Sequence, residues 1–65
     1  MEKIVHIIKR GHKWCIKKHR IKRAYKICDD YEDAIVYCVE NFKPLGFDII
    51  CHDEDAGIKK IIHAE

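Results

Sequence analysis

Residues 30–43 have the spacing of an amphipathic helix, and this pattern limits the folds open to the chain more than any other. Apolar side chains recur there at three- and four-residue intervals. At about 100° per residue they fall within an arc of about 140°, which is wide enough to lie on a sheet. The stripe consists of Tyr31, Ala34, Ile35, Cys38, Val39 and Phe42. The sequence therefore predicts one helix with one buried face.

The two ends of this helix are also marked in the sequence. Asp30 can act as the N-cap by accepting a hydrogen bond from the amide of Asp33. A capping box that begins one residue earlier, at Asp29, is an alternative. Pro44 cannot continue the helix, and Gly46 allows the chain to turn away after it.

Short runs rich in β-branched residues predict strands on both sides of the helix. The predicted strands are residues 3–9, 14–18, 24–28, 47–51 and 58–62. A glycine-containing turn at 10–13 joins the first two strands into a hairpin. The segment 19–23 is too charged for a central strand and is predicted to be a connection. A polar turn at 53–57 precedes the last strand.

These elements predict an α+β fold in the order β-β-β-α-β-β. Its small sheet has four to five strands, antiparallel or mixed, and is covered on one face by the single helix. The chain has 65 residues, so residues 1–65 form one domain at most. A deep enzymatic cleft would remove much of so small a core. The predicted core is Ile4, Trp14, Ile16, Ile27, Ala34, Ile35, Cys38, Val39, Phe42, Ile49 and Ile58.

The cysteines and the first apolar run indicate the cellular compartment of the protein. The run at 4–8 is too short for a signal peptide and far too short to span a bilayer. We therefore expect a cytoplasmic protein with no membrane association. In a reducing compartment the four cysteines remain free thiols and behave as small buried apolar residues.

Charge is divided unevenly along the chain. Residues 1–28 contain ten lysines and arginines and one acid, whereas residues 29–65 contain three lysines and ten acids. The small net charge of +2 therefore conceals two halves of opposite sign.

Several short motifs occur in a fixed order along nearly the whole chain. They are His6, Trp14 with Ile16 and Lys17, Ala24, the acidic helix start at 29–35, His52, Asp55 and Ile58. In this order and spacing the chain resembles the small bacterial domain-of-unknown-function family 2188. It departs from the family pattern where Asp30 replaces a threonine cap, where Asp33 replaces a glutamate, and where the turn glycine, Gly57, comes one residue late. The resemblance implies this fold and a bacterial or phage setting, and it implies no catalytic residues.

Cysteine and histidine chemistry is not favoured by the spacing. No Cys-x₂-Cys pair occurs, and Cys51 and His52 point to opposite faces of a strand. Cys28 precedes the helix N-terminus, but the neighbouring acids, including Asp29 and Asp33, would raise its pKa. We therefore expect no enzyme activity, no catalytic residues, no metal site and no cofactor.

Nucleic-acid binding is one hypothesis for the basic half. Residues 9–26 interleave nine cations with His12, Trp14, His19 and Tyr25, a combination that can contact phosphates and stack on bases. The candidate residues are Lys9, Arg10, Lys13, Lys17, Lys18, Arg20, Lys22 and Arg23. The alternative is that Trp14 belongs to the core and the lysines form an ordinary solvated face. The acidic helix start and the turn at Asp53, Glu54 and Asp55, together called the acidic turns, would also repel a polyanion if they lay on the same side.

A non-catalytic protein-interaction or regulatory module is the function that the sequence favours. A small core, open sheet edges and opposed charges suit either an unidentified protein partner or self-association as a homodimer. Open strand edges also offer backbone groups for strand addition.

Overall fold

One α-helix lies across one face of a five-stranded sheet. The computed structural model describes residues 3–55 and 57–64. Its elements are β1 (Ile4–Arg10), β2 (Lys13–Lys18), β3 (Lys26–Cys28), α1 (Tyr31–Asn41), a 3₁₀ turn (Lys43–Leu45), β4 (Asp48–His52) and β5 (Ile58–Ile62). The predicted α+β class and the predicted element order are confirmed. Within these residues, no helix is long and apolar enough to cross a membrane.

The sheet is mixed, with β1 at its centre and the order β3-β2-β1-β4-β5. β1 and β4 are parallel, and the other three neighbouring pairs are antiparallel. Two ends of the sheet are distinguished below. The hairpin end carries residues 11–12, 29–30 and 53–55, and the loop end carries residues 19–25 and 42–47. Because β1, β3 and β4 all run from the loop end to the hairpin end, α1 must run back between β3 and β4.

The core lies between α1 and the sheet face beneath it. It consists of Val5, Ile7, Ile16, Cys28, Ala34, Cys38, Phe42, Ile49 and Cys51. Two predicted core residues were wrong: Ile27 is 55% exposed and Ile58 is 61% exposed. Both lie on the opposite face of the sheet, because Ile27 pairs with Cys15 and Ile58 pairs with His52. Ile4 is on that face too and is only half-buried, whereas its neighbour Val5 is fully buried.

The helix is shorter than predicted at its C-terminal end. It stops at Asn41, and Pro44 lies within the 3₁₀ turn that follows. Gly46 then adopts a left-handed conformation with φ of 90°, which glycine tolerates without a steric penalty. The predicted capping bond was also wrong. Asp30 is extended and its side chain makes no cap hydrogen bond, although its carbonyl accepts from Ala34 N–H at 3.2 Å.

The connections differ from the sequence prediction in detail. β3 is three residues long rather than five, because Ala24 and Tyr25 precede it. Tyr25 N–H still donates to the carbonyl of Ile16 at 2.7 Å, which holds the connection against β2. Gly11 has a φ of 61°, as its place in the hairpin turn requires. In the predicted turn at 53–57, Ala56 lies outside the described residues.

Candidate functional site

The sheet face that points away from α1 forms a second surface, here called the open face. Strand alternation and the pairing register assign its residues. The open face contains Ile4, His6, Ile8, Arg10, Lys13, Cys15, Lys17, Ile27, Asp48, Ile50, His52, Ile58 and Ile61. None of these belongs to the core cluster or packs against it. The open face is therefore separate from the core.

Isoleucine is the commonest residue on the open face, and much of its surface reaches solvent. Ile61 is 46% exposed at β5, and Ile27 and Ile58 are more exposed still. Ile4, Ile8 and Ile50 are half-buried by their neighbours in the sheet. The exposed isoleucines lie on the two edge strands β3 and β5. Exposed apolar surface is typical of interaction sites, because water is released when a partner covers it.

Three histidines lie in a diagonal line across the middle of the open face, and we call them the histidine row. His6 is at the centre of the row, on the central strand β1. Its Nδ1 lies 3.0 Å from Nε2 of His52, and its Nε2 lies 3.0 Å from Nδ1 of His19. The ring centroid of His6 lies 5.2 Å from that of His52 and 5.3 Å from that of His19, and the ring planes are inclined by 32° and 27°. Both nitrogens of His6 are thus hydrogen-bonded to other imidazoles.

Burial and neighbouring charge both favour neutral His6. Loss of water contact is the largest cause that lowers its pKa below 6.5, followed by the nearby charges of His52, His19 and Lys17. Lys17 is the direct cross-strand neighbour of His6 on β2. At neutral pH the centre of the open face therefore carries an uncharged imidazole.

The histidine row is arranged to hold a proton rather than a metal ion. A metal would have to replace the proton between two facing nitrogens, and His6 can offer only one nitrogen to any one ion. Among residues 3–55 and 57–64, no group of three or more histidine, cysteine, aspartate or glutamate side chains is placed to hold a metal ion.

Three of the predicted nucleic-acid-binding residues lie at the hairpin end, among acids. Lys9 forms an ion pair of 2.9 Å with Glu54, and Lys13 forms one with Asp29. Arg10 is exposed in the same hairpin. The β1–β2 hairpin thus places these three basic residues beside the acidic turns.

The other five candidates lie at or near the loop end. Lys17 is on the open face, and Lys18 is on the helix side because it pairs with Val5. The remaining three, Arg20, Lys22 and Arg23, are exposed in the connection between β2 and β3. The structure thus divides the eight candidates between two ends and two faces.

Trp14 is packed on the helix side rather than presented to solvent. Its ring centroid lies 4.8 Å from that of Tyr31, the first residue of α1, and Lys9 Nζ lies 5.8 Å from the indole. Packing against the core favours the structural interpretation of Trp14 over a role in base stacking.

The cysteines are free and buried. Burial raises the pKa of Cys28, and Asp33 and Asp29 raise it further while Lys26 opposes them. Burial also raises the pKa of Cys38 to about 12. Both side chains therefore remain protonated thiols at neutral pH, which is the unreactive form.

The histidine row was missed in the sequence. Its only local signal is that His6 and His52 each occupy an outward position of an apolar strand, where an isoleucine would be equally suitable. Their proximity depends on the parallel register of β1 and β4, which pairs His6 with Ile50. His19 adds no strand pattern, because it follows the end of β2.

Comparison of this chain with protein-family models, with curated proteins and with solved structures finds no match. The resemblance to family 2188 therefore stays a prediction.

Proposed function

We propose that this chain is a non-catalytic interaction module that pairs with a second copy of itself through the open face. The observation that supports this most directly is the exposure of isoleucines on a sheet face that α1 does not cover. Pairing would bury them and add a second apolar layer to a chain whose own core is small.

Charge favours a second copy as the partner in one orientation. The hairpin end carries the acidic helix start and the acidic residues Asp53, Glu54 and Asp55, which outnumber the cations Lys9, Arg10 and Lys13 there. The loop end carries Arg20, Lys22 and Arg23. If two open faces meet with their strands antiparallel, the hairpin end of each copy lies over the loop end of the other. Parallel alignment would instead place like charges together.

In the antiparallel orientation, isoleucines of one copy also face isoleucines of the other, and histidines face histidines. A two-fold axis that lies between the sheets and crosses the strands sets each strand against the same strand of the second copy. Ile58 and Ile61 of β5 then meet the same residues of the partner's β5. The two histidine rows face each other near the axis, at the usual sheet separation of about 10 Å between backbones.

The area of the open face determines how tightly we expect the two copies to bind. Five strands spaced about 4.8 Å apart, with about five residues each, give a footprint of about 400 Å². Stable dimers commonly bury about 800 Å² of accessible surface per partner. We therefore expect a weak dimer with a micromolar dissociation constant, which forms and separates with concentration.

Sedimentation velocity over a range of concentrations tests the proposal. The test variant is Ile61→Lys, and the matched control is Val36→Lys, because Val36 is an exposed apolar residue of α1 with 53% exposure compared with 46% for Ile61. We expect the wild type and Val36→Lys to dimerise with rising concentration and Ile61→Lys to remain a monomer. A wild type that stays monomeric up to millimolar concentration, or an Ile61→Lys variant that dimerises normally, would contradict the proposal.

The setting of the module is part of the same proposal. Four free, buried cysteines suit a reducing compartment, and we infer a cytoplasmic location. The resemblance to family 2188 supports a bacterial or phage origin. Detection of the tagged protein in cell fractions of a bacterial host would test the location, and recovery from the periplasm would contradict it.

A further inference from the structure

A groove at the loop end combines cations with an exposed aromatic ring, and we call it the basic groove. It has a volume of about 240 Å³ and is lined by Lys18, Ile21, Arg23, Ala24 and Tyr25. Lys18 Nζ lies 5.1 Å from the centroid of the Tyr25 ring. Ile21 is 51% exposed and Tyr25 is 53% exposed. The groove therefore offers an apolar floor with charged groups at its rim.

The ring of Tyr25 is held in place from the helix side. It makes an edge contact with Phe42 at 5.2 Å between centroids, and its centroid lies 6.3 Å from that of Tyr37. Phe42 is itself part of the core. Contact with Phe42 and Tyr37 fixes the ring of Tyr25, while about half of Tyr25 remains exposed. Tyr25 can therefore stack on a planar ligand with little loss of conformational freedom.

The surroundings of the groove are mostly basic: two acids, Glu40 and Asp48, adjoin the loop end, and the acidic turns are distant. Arg20 and Lys22 belong to the same connection as Arg23. The acidic turns lie at the hairpin end, separated from the groove by the length of β1, which is about 20 Å for its seven residues. That separation exceeds the screening length of about 8 Å at physiological salt. The acids of the hairpin end therefore do not cancel the attraction of the loop end for an anion.

We propose that the basic groove binds single-stranded nucleic acid, with a base stacked on Tyr25 and backbone phosphates contacted by Lys18, Lys22 and Arg23. A single strand fits better than a duplex, because stacking on Tyr25 requires an unpaired base. This function is independent of the proposed self-association. The groove lies on the helix side, so pairing of the open faces leaves it accessible.

Fluorescence anisotropy with a labelled fifteen-nucleotide oligothymidine tests the assignment. We expect binding at low salt, with a logarithmic salt dependence of about −0.7 for each phosphate contacted. Lys22→Gln and Arg23→Gln should each reduce that slope by about 0.7. The matched controls are Lys9→Gln and Lys13→Gln, which remove the same charge at the hairpin end and should leave the slope unchanged.

Variants of Tyr25 separate stacking from simple charge attraction. Tyr25→Leu should weaken binding roughly tenfold without changing the salt slope, since it removes a ring and no charge. Tyr25→Phe keeps the ring and should bind as the wild type does. Circular dichroism verifies that each variant is folded, and if Tyr25→Leu unfolds, Tyr25→Ile replaces it with the same expected loss.

Three results would overturn the proposal. The first is the absence of binding at 50 mM salt, where the three proposed phosphate contacts are only weakly screened and should be detected. The second is a loss of affinity in Lys13→Gln equal to that in Lys22→Gln, which would show dependence on total charge alone. The third is wild-type affinity in the variant that lacks the ring, which would assign the groove to polyanions in general. Retained binding in Ile61→Lys would show that the groove acts without the dimer.

Discussion

Nδ1 of His6 lies 3.0 Å from Nε2 of His52, although 46 residues separate them in the sequence. The other nitrogen of His6 makes the corresponding contact with His19. In the neutral row each imidazole carries one proton, and both hydrogen bonds form when the protons point the same way along the row. One added proton on His6 keeps both bonds, because the cation donates in both directions. A second added proton leaves two donors facing each other and places charges side by side.

Stability should fall in mild acid, because burial and the neighbouring charges disfavour the protonated form of His6 even where its hydrogen bonds are kept. The pKa of His6 is lowered in the folded protein, so the unfolded chain binds more protons below pH 6.5. The contribution of neutral His6 is complete above the unfolded value of 6.5 and is lost as pH falls through the lower folded value. Urea unfolding at a series of pH values measures this. His6→Phe should show a shallower pH dependence between 6.5 and 5 than the wild type, and an equally steep one would contradict the assignment.

Acid should also weaken the proposed dimer. Two histidine rows face each other near its axis, so protonation repels the copies as well as the neighbouring rings within a row. We expect the dissociation constant measured by sedimentation to rise as pH falls below 6.5. Val36→Lys, which lies on the helix, should follow the wild-type profile. A dissociation constant that is independent of pH would show that the rows do not meet.

The two faces of the sheet should respond differently to the same loss of one methylene group. Ile7 is fully buried, whereas Ile61 is 46% exposed. We expect Ile7→Val to lower the free energy of unfolding by about 1 kcal/mol because it leaves a gap in a packed core. Ile61→Val should cost much less, about 0.3 kcal/mol or below. Chemical unfolding at low protein concentration, where the monomer dominates, compares the two, and equal losses would mean that the open face is covered.

The helix and the order of the elements could be predicted because their signals are local. A stripe at helical spacing, a proline after it and short β-branched runs each depend on neighbouring residues. The buried side of each strand could not be predicted as easily. Ile4 and Val5 are equally suitable for a core, and only the placement of α1 decides that Val5 is buried. The same ambiguity explains the wrong assignment of Ile27 and Ile58.

The candidate sites depended on contacts that are distant in sequence. The eight basic candidates form one continuous stretch of the chain, but the hairpin turn at Gly11 sends Lys9 and Lys13 to one end and the 19–25 connection to the other. Each of those lysines then meets an acid from the second half of the chain. Composition therefore identified the basic residues, while sheet register decided which of them lie together.

The ion pair between Lys13 and Asp29 gives a direct test of this register. The lysine lowers the pKa of the Asp29 carboxyl below 3.8, first through the hydrogen bond and then through its charge. The aspartate in turn raises the pKa of Lys13. Titration of the Asp29 carboxyl by NMR should give a midpoint below 3.8 in the wild type, and one that returns toward 3.8 in Lys13→Gln. Lys22→Gln is the control and should leave that midpoint unchanged. An unaltered midpoint in Lys13→Gln would contradict the pairing of β2 with β3 at this end.

Thiol reactivity measures how firmly α1 is held on the sheet. Cys38 is fully buried in the core stripe, and burial raises its pKa to about 12. At pH 8 only roughly one thiol in ten thousand would be ionised at that pKa, so labelling of Cys38 must pass through opening of the fold. We expect its labelling rate, followed by mass spectrometry, to rise with urea in step with unfolding. Cys28, at the end of the short edge strand β3, should be labelled earlier, because a three-residue strand opens with less loss of packing. Labelling of Cys38 at the unfolded rate without urea would show that the helix is not packed against this face.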